Sequence, residues 1–97
     1  MSDDAPVTVR DNSEESRFEA LDESGAVAGF AAYRRSEDRV VFTHTEVDDA
    51  FEGQGVGSSL VHAALDAVRG EGVRVVAQCP FVRSYIEEHQ EYADLLD

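Results

Sequence analysis

Phe51 to Cys79 reads FEGQGVGSSLVHAALDAVRGEGVRVVAQC, and this stretch decides the fold. Glycines at 53, 55 and 57 run without a break into a helical pattern. Leu60, Val61, Ala64, Leu65 and Val68 fall on one helix face, and Ser58, His62, Asp66 and Arg69 on the other. Gly70 and Gly72 mark the end of that helix, and Val73 to Cys79 reads as a strand. The alternating segment Arg39 to Val47 precedes the loop. Strand, glycine loop, helix and strand make a βαβ unit, whose two strands are expected to run parallel.

Upstream of this unit the period is two. Val7 and Val9 alternate with Thr8 and Arg10, and Phe18 and Ala20 with Arg17 and Glu19, as in half-buried strands. Asp22-Glu23-Ser24-Gly25 and Ser36-Glu37-Asp38 are turn chemistry. Between them Ala26 to Tyr33 is apolar on both alternating sets, which predicts a central strand. In Arg39 to Val47 strict alternation places Val40, Phe42, His44 and Glu46 on one face and Val41, Thr43, Thr45 and Val47 on the other. After Pro80, a good first helical residue, Val82, Tyr85, Ile86 and His89 recur at helical spacing, and Tyr92 to Leu96 closes the chain with another apolar turn. The fold class is α+β: a mixed, mostly antiparallel sheet of about five strands with a βαβ unit and two to three helices.

Composition limits what this chain does. Its 97 residues are expected to form one domain, with the first six frayed. Asp plus Glu number 21 against 8 cations, all arginine, for a formal net charge of -13. Duplex binding needs basic side chains to neutralise phosphates, so nucleic acid is a poor partner. The carboxylates are spread along the chain, which reads as a solvated, salt-tolerant surface of the halophilic kind, or as a field that attracts cations. A single cysteine, Cys79, excludes an intrachain disulfide and suits a reducing compartment. Met1 to Pro6 has neither the basic nor the apolar part of a leader, and no apolar run reaches membrane-spanning length. The expectation is a cytoplasmic chain with no membrane or metal partner.

The glycine loop has two readings on its own residues. A helix N-terminus offers unpaired amides and a positive dipole end, and glycines allow a phosphate to approach them. The alternative is a tight strand-to-helix turn that needs glycine for its backbone angles. Phe51 to Val61, FEGQGVGSSLV, resembles the acyl-CoA pyrophosphate loop of the GNAT superfamily of N-acetyltransferases, an Arg/Gln-x-x-Gly-x-Gly/Ala motif at the start of the central helix. Gly55 and Gly57 take its two glycine positions. With His44-Thr45-Glu46-Val47 before it, and Cys79-Pro80-Phe81-Val82, Tyr85 and His89-Gln90-Glu91-Tyr92 after it, residues 17 to 95 resemble the small single-domain GNAT-like family.

That resemblance implies acetyl-CoA as acyl-donor co-substrate. Val47, Gln54, Gly55, Val56, Gly57, Ser58 and Ser59 would hold it, with amides from Gln54 to Ser59 on the pyrophosphate. It also implies that Val40 to Val47 and Val73 to Cys79 diverge, so that the thioester pairs with free backbone groups near Thr45, Glu46 and Cys79. Glu52 departs from the motif, which has Arg or Gln there, and sets a carboxylate beside the pyrophosphate site. High salt would screen that repulsion. Arg69, Arg74 and Arg83 are candidate phosphate partners by proximity in sequence.

Transfer to an amine requires a neutral nucleophile, so a carboxylate near the thioester is useful as a base. Glu46 is that candidate, with His44 on the same strand face; both also read as solvated surface groups. Cys79 reads either as a small buried hydrophobe or as a thiol that accepts the acyl group or protonates the departing thiolate. Tyr85 is a candidate acid or a core residue, and His62 and His89 read as surface groups. The function expected is an acyl-CoA-dependent N-acyltransferase acting on a primary amine, in a small molecule or a protein. The alternatives are a noncatalytic acyl-CoA or anion-binding module and an acidic interaction protein. Once CoA is held, so short a chain leaves room for a homodimer or partner to complete the acceptor site. The acidic surface predicts loss of cooperative unfolding and of near-UV circular dichroism below a few hundred millimolar salt; equal stability in low and molar salt would refute the halophilic reading.

Overall fold

A computed structural model describes residues 7–51 and 55–96. Strands β1 (Thr8–Asn12), β2 (Arg17–Leu21), β3 (Val27–Arg35) and β4 (Arg39–Val47) form an antiparallel meander. Helix α1 (Val56–Glu71) then carries the chain over to β5 (Arg74–Ala77), which lies parallel to β4, and α2 (Pro80–Glu88) follows. The sheet order is β1-β2-β3-β4-β5, so the mixed α+β sheet expected from the sequence is the observed one and β3 is its central strand. Short 3-10 turns at Asp49–Phe51 and Gln90–Leu95 precede α1 and follow α2. Among the described residues no helix is long and apolar enough to cross a membrane.

Local chemistry accounts for the element ends. Asp22 accepts hydrogen bonds from the Ser24 and Ala26 amides at 2.8 and 3.0 Å, closing the turn before β3, where Gly25 takes φ +88°. Gly72, at φ +75°, ends α1 by donating its amide to the Arg69 carbonyl, while Gly70 lies within the helix. Pro80 is the first residue of α2, where a missing amide costs nothing. His89 falls just past α2 and stacks on Tyr85 with ring centroids 4.0 Å apart.

One sheet face holds the core. Opposed residues Val9, Ala20, Gly29 and Val47, and Asp11, Phe18, Ala31 and Thr45, cross β1 to β4 on this face. Phe18, Tyr33 and Phe42 stack there with centroids 5.4 to 6.4 Å apart, in one buried cluster with Leu60, Val61, Ala64, Leu65 and Val68 of α1 and Val82 and Ile86 of α2. The other face carries the rows Arg10, Glu19, Phe30, Glu46 and Asn12, Arg17, Ala32, His44.

The register shifts between β3 and β4, where Ala32 opposes His44 and Tyr33 opposes Phe42, leaving Thr43 as a bulge. This corrects the strict alternation read from the sequence. Val40 and Phe42 point into the core, whereas His44 and Glu46, beyond the extra residue, point to the opposite, open face. Thr45 and Val47 therefore join the core face.

Glu19 on the open face is only 1% exposed because its neighbours cover it. Arg10 Nε and Arg17 Nε donate to it at 2.9 and 2.7 Å, and Asn12 Nδ2 at 3.1 Å. Burial pushes its pKa up, but these hydrogen bonds and the Arg17 charge prevail and hold the carboxyl below its usual range. A carboxyl depressed in the folded state contributes stability that is present above its unfolded pKa and is lost as pH falls through the folded one. Glu19→Gln is thus expected to cost roughly 1–3 kcal/mol at neutral pH. Denaturant melts should show the gap from the parent closing in acid, and a gap that does not change with pH would exclude ionisation as its source.

Candidate active site

The ladder between β4 and β5 stops early. It pairs Arg39 with Arg74 through to Phe42 with Ala77, and then the Phe42 carbonyl accepts both the Gln78 and Cys79 amides, at 3.1 and 2.9 Å. β5 turns away into α2 while β4 continues to Val47, bonded only to β3 among the described strands. The divergence expected between these strands is therefore present, and it begins at the Thr43 bulge.

Into this gap opens the start of α1. Gly55 precedes the helix at φ +78°, no side chain caps it, and no acidic residue stands in its first turn. Its first amides have no partner within the helix. A cleft of about 250 Å³ is lined by Val47, Phe51, Gly55, Val56, Gly57, Ser58 and Phe81. A Cβ on Gly57 would stand 2.6 Å from the Phe81 ring, so glycine is what lets that ring lie against the helix N-terminus. Ser58 also lines two neighbouring grooves, of about 460 Å³ with Phe81 and Tyr85, and about 290 Å³ with Ser59, His62 and Tyr85. Of the residues expected to hold acetyl-CoA, Val47, Gly55, Val56, Gly57 and Ser58 share one cleft and Ser59 the next. Gln54, with Glu52 and Gly53, lies outside the described residues.

The catalytic candidates fall on two sides of β4. Cys79 is 3% exposed at the start of α2, and its thiol donates to Thr45 Oγ1 at 3.3 Å. His44 and Glu46 lie on the open face, Nε2 to Oε2 2.7 Å, with both side chains more than half exposed. The bulge places His44 on the side of β4 opposite the Cys79 thiol. Behind Glu46 a second cavity, of about 210 Å³, is lined by Arg17, Val27, Ala28, Gly29, Phe30, Glu46 and Asp48. Val47 and Glu46, adjacent in the chain, thus line cavities on opposite faces of the same strand.

None of the three arginines suggested as phosphate partners lines the cleft at α1. Arg69 pairs with Asp94 at 2.9 Å, Arg74 donates to the Asp94 carbonyl at 2.9 Å, and Arg83 to the Ala77 carbonyl at 3.3 Å. Tyr85 faces the outer grooves, and burial pushes its hydroxyl pKa up. The sequence reading missed three things. Phe51 and Phe81 supply the apolar walls of the cleft, and His62 is tied to Tyr92 Oη at 2.8 Å and to Asp66 at 3.2 Å. The i, i+4 spacing of His62 and Asp66 was the one signal for this cluster.

The chain is similar to known proteins in sequence and in fold. Over 46 residues, 47% of this chain, the NATD1 proteins of Xenopus tropicalis and Homo sapiens are each 39% identical to it. The matched stretch spans 42% and 41% of those proteins, so less than half of either is represented. A GCN5-like protein from Staphylococcus aureus, solved by NMR, superposes with a TM-score of 0.70 at 26% identity, covering 100% of this chain and 91% of that one. The GNAT family N-acetyltransferase YhbS from Escherichia coli, solved in complex with CoA, gives 0.56 at 28% identity over 63% of this chain and 38% of its own. A family model described as GCN5-related N-acetyl-transferase matches residues 17–95. That match runs through every element from β2 onward, and the chain belongs to the GCN5-related N-acetyltransferase family.

Proposed function

We propose that the protein transfers an acetyl group from acetyl-CoA to a primary amine. The observation that carries this reading is the pair of cavities back to back on Val47 and Glu46, at the stretch of β4 that β5 leaves unpaired. The donor enters on the α1 side. Its pyrophosphate meets the uncapped amides of Val56, Gly57 and Ser58, its pantetheine packs on Phe51 and Phe81, and its thioester reaches the free edge of β4. The acceptor enters from the open face beside Glu46.

Glu46 takes a proton from the acceptor ammonium. The freed amine attacks the thioester carbonyl, a C–N bond forms as the C–S bond breaks, and the departing thiolate takes a second proton from the nitrogen. One proton in all passes to solvent. His44, 2.7 Å from Glu46, is a positioning residue for this base. Direct transfer is favoured over an acyl-cysteine, because Cys79 is buried, its hydrogen goes to Thr45, and His44 lies on the other face. The donor is held by backbone, so a side chain that fills the cleft works against it.

Acetyl-CoA binding in molar KCl should therefore weaken by about tenfold or more in Gly57→Leu while the far-UV spectrum is kept. Glu46→Gln should lower kcat roughly 10²–10⁴-fold with acetyl-CoA affinity intact. Intact mass after incubation with acetyl-CoA should show no acetyl adduct. A one-acetyl adduct removed by hydroxylamine and abolished by Cys79→Ala would replace direct transfer with a covalent route. Binding with no turnover on any amine would leave a noncatalytic acyl-CoA module, and no binding would reduce the glycine loop to a turn.

A further inference from the structure

Resting on that reading, we infer that the acceptor is a small aliphatic polycation, a linear diamine or polyamine, whose reacting nitrogen lies at Glu46 and whose distal ammonium takes the place that the Arg17 guanidinium holds over Phe30. The open-face cavity, at about 210 Å³, lies below the usual range for ligand sites and suits a slender aliphatic chain better than a folded substrate. Its polar lining is Glu46 and Asp48 on β4 and the loop beyond it, and Arg17 on β2.

The Phe30 ring sets the second requirement. The Arg17 guanidinium carbon lies 4.7 Å from the ring centroid, so this aromatic face already accommodates a cation. Arg17 also donates to Glu19, but Glu19 keeps Arg10 and Asn12 when Arg17 swings away, at 2.9 and 3.1 Å. A competing ammonium therefore displaces the guanidinium without stranding a buried carboxylate. Phe30 stands directly opposite Glu46 in the register, so the ring site and the base are cross-strand neighbours within the span of a short diamine. The net charge of -13 draws multivalent cations more strongly than monovalent ones.

The test compares putrescine, spermidine, n-butylamine and a lysine-containing tetrapeptide as acceptors, with the acetylated products read by mass spectrometry in the lowest KCl that keeps unfolding cooperative. Putrescine and spermidine should exceed n-butylamine in kcat/KM by about tenfold, chiefly through KM. Phe30→Leu should collapse that ratio toward one, and Arg17→Ala should lower KM for the diamine by vacating the ring. Equal use of n-butylamine and putrescine, or preference for the peptide, overturns the proposal while leaving the acyltransferase reading in place. Where no amine is acetylated, that reading fails, and the polycation site is judged separately by NMR titration of the full chain with CoA present. Phe30 and Arg17 resonances that respond to putrescine at concentrations where n-butylamine has no effect support the site, and an equal or absent response overturns it.

Discussion

The Phe42 carbonyl is the point on which the site depends. It takes two amides, from Gln78 and Cys79, and in doing so ends the parallel ladder between β4 and β5. Backbone groups of a strand left without a neighbour need partners, and a sheet seldom leaves such an edge in its interior. Here the gap lies between two strands instead of at the rim. Next to it, the Thr43 bulge adds one residue to β4 and turns His44 and Glu46 away from the core that Val40 and Phe42 occupy. Ladder end and bulge together make one segment that presents Val47 to the helix side and Glu46 to the open side.

Packing holds the gap apart. Cys79, capping α2 with its thiol on Thr45, joins the start of that helix to the unpaired part of β4, and Phe81 in the first turn of α2 rests against Gly57 in the first turn of α1. Both helix starts are thereby fixed around the same opening. A side chain at Gly29 would be more disruptive than one at Gly57, since a Cβ there would come within 2.8 Å of the Glu46 carbonyl, which is backbone and cannot swing away as the Phe81 ring can. The strand that carries Glu46 is thus held closely on its β3 side and left unpaired by β5 beyond Phe42.

Electrostatics divide the molecule differently from its layers. The cleft at α1 has no arginine in its lining, so what it offers an anion is backbone dipoles within a strongly acidic chain. Such dipoles act over short range and survive salt that screens the surface charge. The open face instead concentrates its arginines on one buried carboxylate, Glu19, and holds Glu46 and Asp48 beside a ring already covered by a cation. The two cavities on either side of one strand therefore offer two different kinds of surface, one of backbone dipoles and one of carboxylates beside an aromatic ring.

Much of this was legible in the sequence, because period and punctuation are local properties. Period two before Val47, glycines before Val56, period 3.6 to Val68 and Pro80 after Cys79 each dictate an element without reference to the rest, and the GNAT resemblance added the family. The faces of β4 were not legible. Valine, phenylalanine, threonine and histidine alternate across Thr43 with no break, and only pairing with β3 shows that one residue is extra. For the same reason only the register shows that His44 and Cys79 lie on opposite sides of β4. The arginines fared likewise: Arg69, Arg74 and Arg83 are near the loop in the chain, but their partners, Asp94 and the Ala77 and Asp94 carbonyls, are chosen by how the last turns fold back. The sequence by itself determined which segments form strands and helices and where a helix starts on glycine, since those follow from backbone preference and hydrophobic period. Tertiary structure alone decided which side of β4 each catalytic candidate faces, because a bulge and a ladder end arise from contacts between strands that no single segment encodes.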